Sequence, residues 1–155
     1  MSTVPVVMAA LDSLLTSTLA TLLPVEWQVV FGSRNAVTIT KNYVAVIEGA
    51  TGNDALVTME LSRSSEAYLV KIELSGSIAG AGDETLQTVT TNVFAAKTAI
   101  EHAVREFPAG PDLGLGASGV LQALPLKGWE YKPKASGDVR EALVGFGIQV
   151  IAQNT

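Results

Sequence analysis

Apolar residues recur along the chain at two different periods, and the change of period sets the order of helices and strands. Near the N-terminus they recur at three- and four-residue steps, which places them on one side of a helix over residues 3–23. These positions are Val4, Val7, Met8, Leu11, Leu14, Leu15, Leu19 and Leu22. Pro5 fits the first turn of this helix, and Pro24 ends it.

The opposite side of this first helix carries almost no charge. Its only charged residue is Asp12, whereas a helix surface that faces water normally carries Lys and Glu. The positions Ala9, Ser13 and Ala20 are small. Since small side chains let another backbone approach closely, this side is predicted to be covered by a second surface, such as a neighbouring copy. The alternative is an ordinary exposed helix side rich in Ser and Thr.

From residue 26 onward, apolar and polar residues alternate, which is the period of a β-strand. The alternation is clearest over residues 68–78 and 142–151, so both segments are predicted to be strands, and the first is predicted to be a half-buried antiparallel strand. Further strands are predicted over residues 27–31, 43–47, 56–61 and 120–131, the last one interrupted at Pro125 and Gly128. The segments 32–35 and 62–65 have the composition of turns.

A second helix is predicted from Asp83, its predicted N-cap, to Phe107. One side of it is apolar, through Leu86, Val89, Val93, Ala96, Ile100, Val104 and Phe107. A flexible, glycine-rich loop is predicted at 108–119. The sequence therefore predicts one α+β domain over 1–155. It has a mainly antiparallel, curved sheet of about six strands, an N-terminal helix and one long covering helix.

Composition excludes several classes of protein. Hydrophobic residues make up 48% of the chain and charged residues 16%, against about 25% in typical globular domains, so the chain is not disordered and part of its surface is predicted to be covered. The formal net charge of −5 argues against binding to a nucleic-acid backbone. The absence of cysteine excludes disulfides and thiolate metal sites.

Targeting signals are also missing from the sequence. No Lys or Arg precedes Arg34, so the N-terminal helix lacks the positive region of a signal peptide, and a cytosolic protein without membrane contact is predicted.

Three patterns that could carry chemistry are weak. Gly114–Gly119 spells GxGxxG, but a helix precedes it and a broken strand follows, the wrong context for a dinucleotide site. His102 is the only histidine and is predicted to face solvent or a partner, with Glu101 pairing Arg105 beside it. Most carboxylates of the strand region are predicted on a solvated side of the sheet: Glu48, Asp54, Glu60, Glu66 and Glu73. No catalytic, cofactor or metal site is predicted.

Three aromatic residues are candidates for contacts with another protein. Phe94 lies on the flank of the second helix, while Trp129 and Tyr131 lie in a strand among Lys127, Lys132 and Lys134. Aromatic side chains next to charges are typical of interface anchors. The alternative is ordinary core packing.

The order of elements resembles the tail terminator (tail-completion) proteins of long-tailed bacteriophages. The similarity rests on a first helix followed by strands, a second helix and a closing strand. The matching segments are Val4–Leu23, Trp27–Phe31, Tyr43–Gly49, Tyr68–Ile78, Asp83–Phe107 and Ala142–Ala152.

This resemblance implies a structural protein of the virion tail or neck, assembled in the host cytoplasm. It implies a homohexameric ring that sits on the tail tube protein, stops its polymerisation and docks to the head–tail connector protein, while DNA passes through the lumen without specific binding. The loops 62–65 and 108–119 are predicted to become ordered on binding.

Two alternatives stay open. The first is another neck or tail component, such as a tube protein or a head–tail adaptor. The second is a small ligand-binding or enzymatic α+β domain, which predicts a deep pocket with a perturbed titratable group near Glu60, Glu73 or His102.

Overall fold

The computed structural model describes residues 2–32, 38–58, 63–106 and 112–154. Its elements are helix α1 (Val4–Leu19), strands β1 (Trp27–Phe31), β2 (Tyr43–Thr58) and β3 (Arg63–Ala79), helix α2 (Asp83–Arg105), a short 3-10 helix (Gly116–Ser118), and strands β4 (Val120–Ser136) and β5 (Val139–Asn154). This is the predicted α+β class, with two α-helices and one sheet.

The sheet has five strands in the order β1-β2-β3-β5-β4. The pairs β2–β3, β3–β5 and β5–β4 are antiparallel, while β1 and β2 are parallel. The prediction of about six strands was therefore wrong in number, and the sheet is mixed.

The strand count is lower because β2 is continuous. Residues 43–47 and 56–61 were predicted as separate strands, but the polar residues between them also pair with β3, for example Gly52 with Tyr68. The same pairing makes residues 63–65, predicted as part of a turn, the first residues of β3. Ser62 and the end of the predicted strand 56–61 lie outside the described residues.

Strand β4 is also longer than predicted. It continues to Ser136, and the predicted break at Pro125 and Gly128 takes the form of a shift in register against β5, between Pro125 and Trp129. Such irregularities bend a strand without ending it.

Both helices cover the same side of the sheet and contact each other. Helix α1 packs on β1 and β2, and α2 packs on β3, β5 and β4. The predicted apolar sides are buried: Val7, Met8, Leu11, Leu15 and Leu19 in α1, and Val89, Val93, Ala96, Ile100 and Val104 in α2. Helix α1 ends four residues earlier than predicted. The N-cap of α2 is Gly82, and Asp83 is its first residue. Phe107 lies outside the described residues.

The other side of the sheet, which we call the helix-free face, carries Lys71 and Glu73 of β3 and Gln149 of β5. Near β1 it has a small second core of Val30, Val44 and Val46, against which Ile39 packs. The Gln28 side chain fixes the segment 38–40 beside it, because its amide group donates to the Thr38 carbonyl (3.0 Å) and accepts from the Thr40 N–H (2.7 Å).

Neither described α-helix combines the length and the hydropathy that a membrane span requires.

Candidate functional site

Three aromatic side chains form one cluster at the outer end of the sheet. The Phe94 ring centroid lies 5.4 Å from that of Trp129 and 5.4 Å from that of Tyr131, with interplanar angles of 85° and 65°. Edge-to-face contacts of this kind are favourable. The structure thus brings together all three aromatic residues predicted as contacts, and Trp129 remains 54% exposed. We call these residues the aromatic cluster.

The cluster is held by both elements that carry it. Trp129 and Tyr131 are two residues apart in β4, so they project from the same side of the strand, towards α2. The Tyr131 hydroxyl hydrogen-bonds the Thr90 hydroxyl of α2 at 2.7 Å. Phe94 follows the buried Val93 on α2. The aromatic rings are therefore fixed in position while one face of the cluster stays open to solvent.

A charged network lies under the cluster. The Lys97 ammonium group is 5.7 Å from the centroid of Trp129 and 5.7 Å from that of Phe146, within the range of cation–π attraction. Lys97 also pairs with Glu101, which is 3.6 Å from Arg105 and so forms the predicted pair. The Lys97 and Glu101 side chains are only 11% and 15% exposed, so their charges contribute little to the outer surface.

An uncharged surface continues from the cluster along α2. It is shallow and open, and its lining residues are Thr91, Phe94, Ala95, Thr98, Ala99 and His102. His102 is exposed, as predicted.

The predicted contact positions of α1 lie on a different helix. Ala9, Ser13 and Ala20 are exposed, and Asp12 is half-buried beside them. The predicted contact residues therefore form two separate surfaces, one on α1 and one where α2 meets β4.

One prediction about the carboxylates was wrong: Glu66 is buried, with 3% exposure. Its Oε1 atom accepts hydrogen bonds from the Thr3 N–H (2.8 Å), the Thr3 hydroxyl (2.5 Å) and the Ser2 hydroxyl (3.2 Å). The Thr3 hydroxyl also lies 2.9 Å from the Tyr68 hydroxyl. The buried Glu66 carboxylate therefore joins β3 to the start of α1.

The position of Glu66 follows from strand geometry. Glu66 is two residues before Tyr68, so it lies on the helix-covered side of β3, where a carboxylate needs polar partners. The N-terminus of α1 supplies them, and its helix dipole favours a negative charge there. The spacing was visible in the sequence, but the partner on α1 was not.

Burial raises the pKa of Tyr68 to about 12, and the nearby Glu66 charge acts in the same direction. The phenol is therefore neutral at ordinary pH. Because Ser2 and Thr3, just before α1, donate to the Glu66 carboxylate, this cluster anchors the start of the helix. Ser2, Glu66 and Tyr68 also line an open cavity of about 210 Å³.

The remaining candidates show no convergence of reactive groups. Glu73 is half-buried on the helix-free face, and Glu48 lies 3.5 Å from Lys71. The segment Gly114–Gly119 contains the 3-10 helix before β4. Residues 108–111, Glu60 and the Asp54 side chain fall outside the described part. Within that part, no group of three or more His, Asp or Glu side chains is arranged to hold a metal ion.

No protein-family model matches the sequence, and no curated protein matches it significantly.

Proposed function

We propose that the protein is a structural subunit that assembles with copies of itself into a ring, caps the tail tube of a long-tailed phage and joins it to the head connector. The observation that carries this proposal is the aromatic cluster. Trp129 is 54% exposed although it contacts Phe94, and large exposed aromatic side chains of this kind are the usual anchors of protein interfaces.

Two further features support an assembled protein. The outer side of α1 exposes Ala9, Ser13 and Ala20 and lacks the Lys and Glu residues that are typical of a solvent-facing helix surface. A ring that uses one surface on α1 and another at the aromatic cluster would be heterologous, because each copy would contribute two different patches.

The proposed ring has partners above and below it: the tail tube protein on one side and the head–tail connector protein on the other, within the virion. DNA passes through the lumen without specific binding, in keeping with the net charge of −5. A ring wall also needs the curved sheet that the sequence predicts. The register shifts at Ile47/Gly49 and Pro125/Trp129 are positions where strands bend.

Two experiments on the purified protein test the proposal. Light scattering across a concentration series should give a mass several times 16.1 kDa, and electron microscopy should show closed rings of constant size. Long tubes would instead indicate a tube protein. A monomer at every concentration, alone and with added tail tubes, would contradict the ring.

One substitution tests whether the ring assembles through the aromatic cluster. Trp129→Ser should lower the self-association constant and leave the monomer folded, because more than half of this side chain faces solvent. Leu121→Ser is the matched control, since Leu121 is 53% exposed at the other end of β4.

A further inference from the structure

Strand β4 is an edge of the sheet, and no described strand pairs with its outer side. Pro133 shows which backbone groups face outward. It pairs in register with Ala142 of β5, and because proline has no N–H to donate, this must be a pair without direct hydrogen bonds. The register runs unbroken from Trp129 to Ser136, so Trp129 and Tyr131 are pairs of the same type. Their backbone N–H and C=O groups therefore point away from β5, towards the open edge.

The open edge coincides with the aromatic cluster. The residues whose backbone groups face outward, Trp129 and Tyr131, carry their side chains on the helix-covered side. The alternate residues Glu130, Lys132 and Lys134 pair with Gly145, Leu143 and Glu141 of β5, on the helix-free face. A strand docked here would gain main-chain hydrogen bonds together with aromatic contacts on one side and charged contacts on the other.

The flanks of this segment limit what can pair with it. Pro125, Lys127, Lys134 and the register shift are features that natural sheets use to keep edges from pairing at random. Between them the outward groups of Trp129 and Tyr131 stay open. The edge is thus suited to one short partner strand in a fixed register.

Charge favours another copy of this chain as the partner. Residues 127–134 contain three Lys and one Glu, a net charge of +2, which leaves −7 on the rest of the chain. The basic segment of one copy is therefore complementary to the remainder of the next.

The direction of the strands fixes how two copies can join. Strand β4 runs opposite to β1 and β2, which form the other edge of the sheet. We propose that the outer edge of β4 at Trp129–Lys134 pairs antiparallel with the β1–β2 edge of a second copy, so that the sheet continues from copy to copy. This inference rests on the proposed function, because it names the surface through which the ring assembles.

Hydrogen–deuterium exchange tests the pairing directly. In the assembled protein the amides of Trp129 and Tyr131 should exchange at least about tenfold more slowly than in the dilute monomer, because their outward N–H groups gain acceptors. A wild-type protein that never assembles would contradict the proposed function. Assembly without slower exchange of these amides would contradict only the present inference.

Two variants of Trp129 distinguish the contribution of its side chain to self-association from that of its backbone N–H. Trp129→Ala should weaken self-association at least about tenfold. Trp129→Pro should abolish it, since it also removes the outward N–H while the pairing with β5 is kept, as at Pro133. Leu121→Ala is the control and should assemble like the wild type. If both Trp129 variants fold and assemble normally, the inference is wrong, and if Trp129→Pro fails to fold, Trp129→Ala and the exchange measurement decide.

Discussion

Gly76 lies where two side chains from other elements close over β3. A Cβ atom at this position would be 2.6 Å from Tyr43 Cε1 and 2.7 Å from Val89 Cγ2. The Tyr43 ring cannot move easily, because its hydroxyl accepts a hydrogen bond from the Asn92 amide at 2.8 Å. We expect Gly76→Ala to lower the free energy of unfolding by about 1–3 kcal/mol through overpacking.

The matched control for this substitution is Gly145→Ala in β5, where an added Cβ meets no atom within 4 Å. That variant should be neutral or stabilised by less than about 1 kcal/mol, because the unfolded chain loses freedom. Urea denaturation of both variants measures the difference. Equal destabilisation by the two substitutions would contradict the packing argument.

Thr3 supplies both a backbone and a side-chain hydrogen bond to the buried Glu66 carboxylate. Thr3→Val keeps the shape of the side chain and removes the hydroxyl, so we expect a loss of about 1–3 kcal/mol in unfolding free energy. Thr3→Ser keeps the hydroxyl and should lose less. The comparison is made by chemical denaturation, and a Val variant as stable as the Ser variant would show that the hydroxyl does not matter.

The pKa of Tyr68 makes a prediction for alkaline solution. Its phenol ionises near 10.0 when exposed and near 12 in the folded protein. The unfolded chain therefore loses its proton first, and stability present below pH 10 is lost as pH rises towards 12. Tyr68→Phe should remove this part of the alkaline loss. An identical pH dependence in the two proteins between pH 10 and 12 would contradict it.

At the level of single residues, the sequence predicted the aromatic candidates but not the buried carboxylate. Trp129 and Tyr131 are two apart in a strand, so their common side was predictable, whereas contact with Phe94 required the packing of α2 on β4. The alternation of β3 places Glu66 with Tyr68. Its burial depends on Thr3, far away in sequence, and no local pattern indicates such a partner.

At the scale of a single element, one prediction concerns the exposed side of helix α1. Ser13 is exposed on the side proposed to contact another copy. Ser13→Lys should change the unfolding free energy by less than about 0.5 kcal/mol, because Lys is well tolerated at an exposed helix position. It should, however, weaken assembly, since a charge would be buried in the contact.

Gln149→Lys is the control for this experiment, because Gln149 is also exposed but lies on the helix-free face, away from both proposed contact surfaces. Light scattering of both variants at equal concentration gives the comparison. Full assembly of Ser13→Lys would show that this side of α1 faces water.

The elements themselves were predictable to different degrees. The buried side of α2 follows from its period, because Val89, Val93 and Ile100 can face one way only in a helix. The length of β2 does not, since Gly52 and Asn53 have the composition of a turn and stay extended only through pairing with β3. The parallel pairing of β1 with β2 was missed for a similar reason: strand direction depends on the path of the connection, and local composition does not specify it.

For the molecule as a whole, net charge leads to a prediction about DNA. A chain with charge −5 releases few counterions from a duplex, so the assembled protein should show no binding to labelled duplex DNA by fluorescence anisotropy at physiological salt. Binding that weakens steeply with added salt would contradict a lumen through which DNA passes freely.

Because the two edges of the sheet differ, a mixture of wild-type and variant protein should behave differently from either protein alone. A copy with Trp129→Pro would lack a working β4 edge and still offer an intact β1–β2 edge, so it could attach to a growing chain and stop it. A small fraction of this variant should therefore inhibit the assembly of wild-type protein in a dominant-negative way. The mixture should contain short open arcs instead of closed rings.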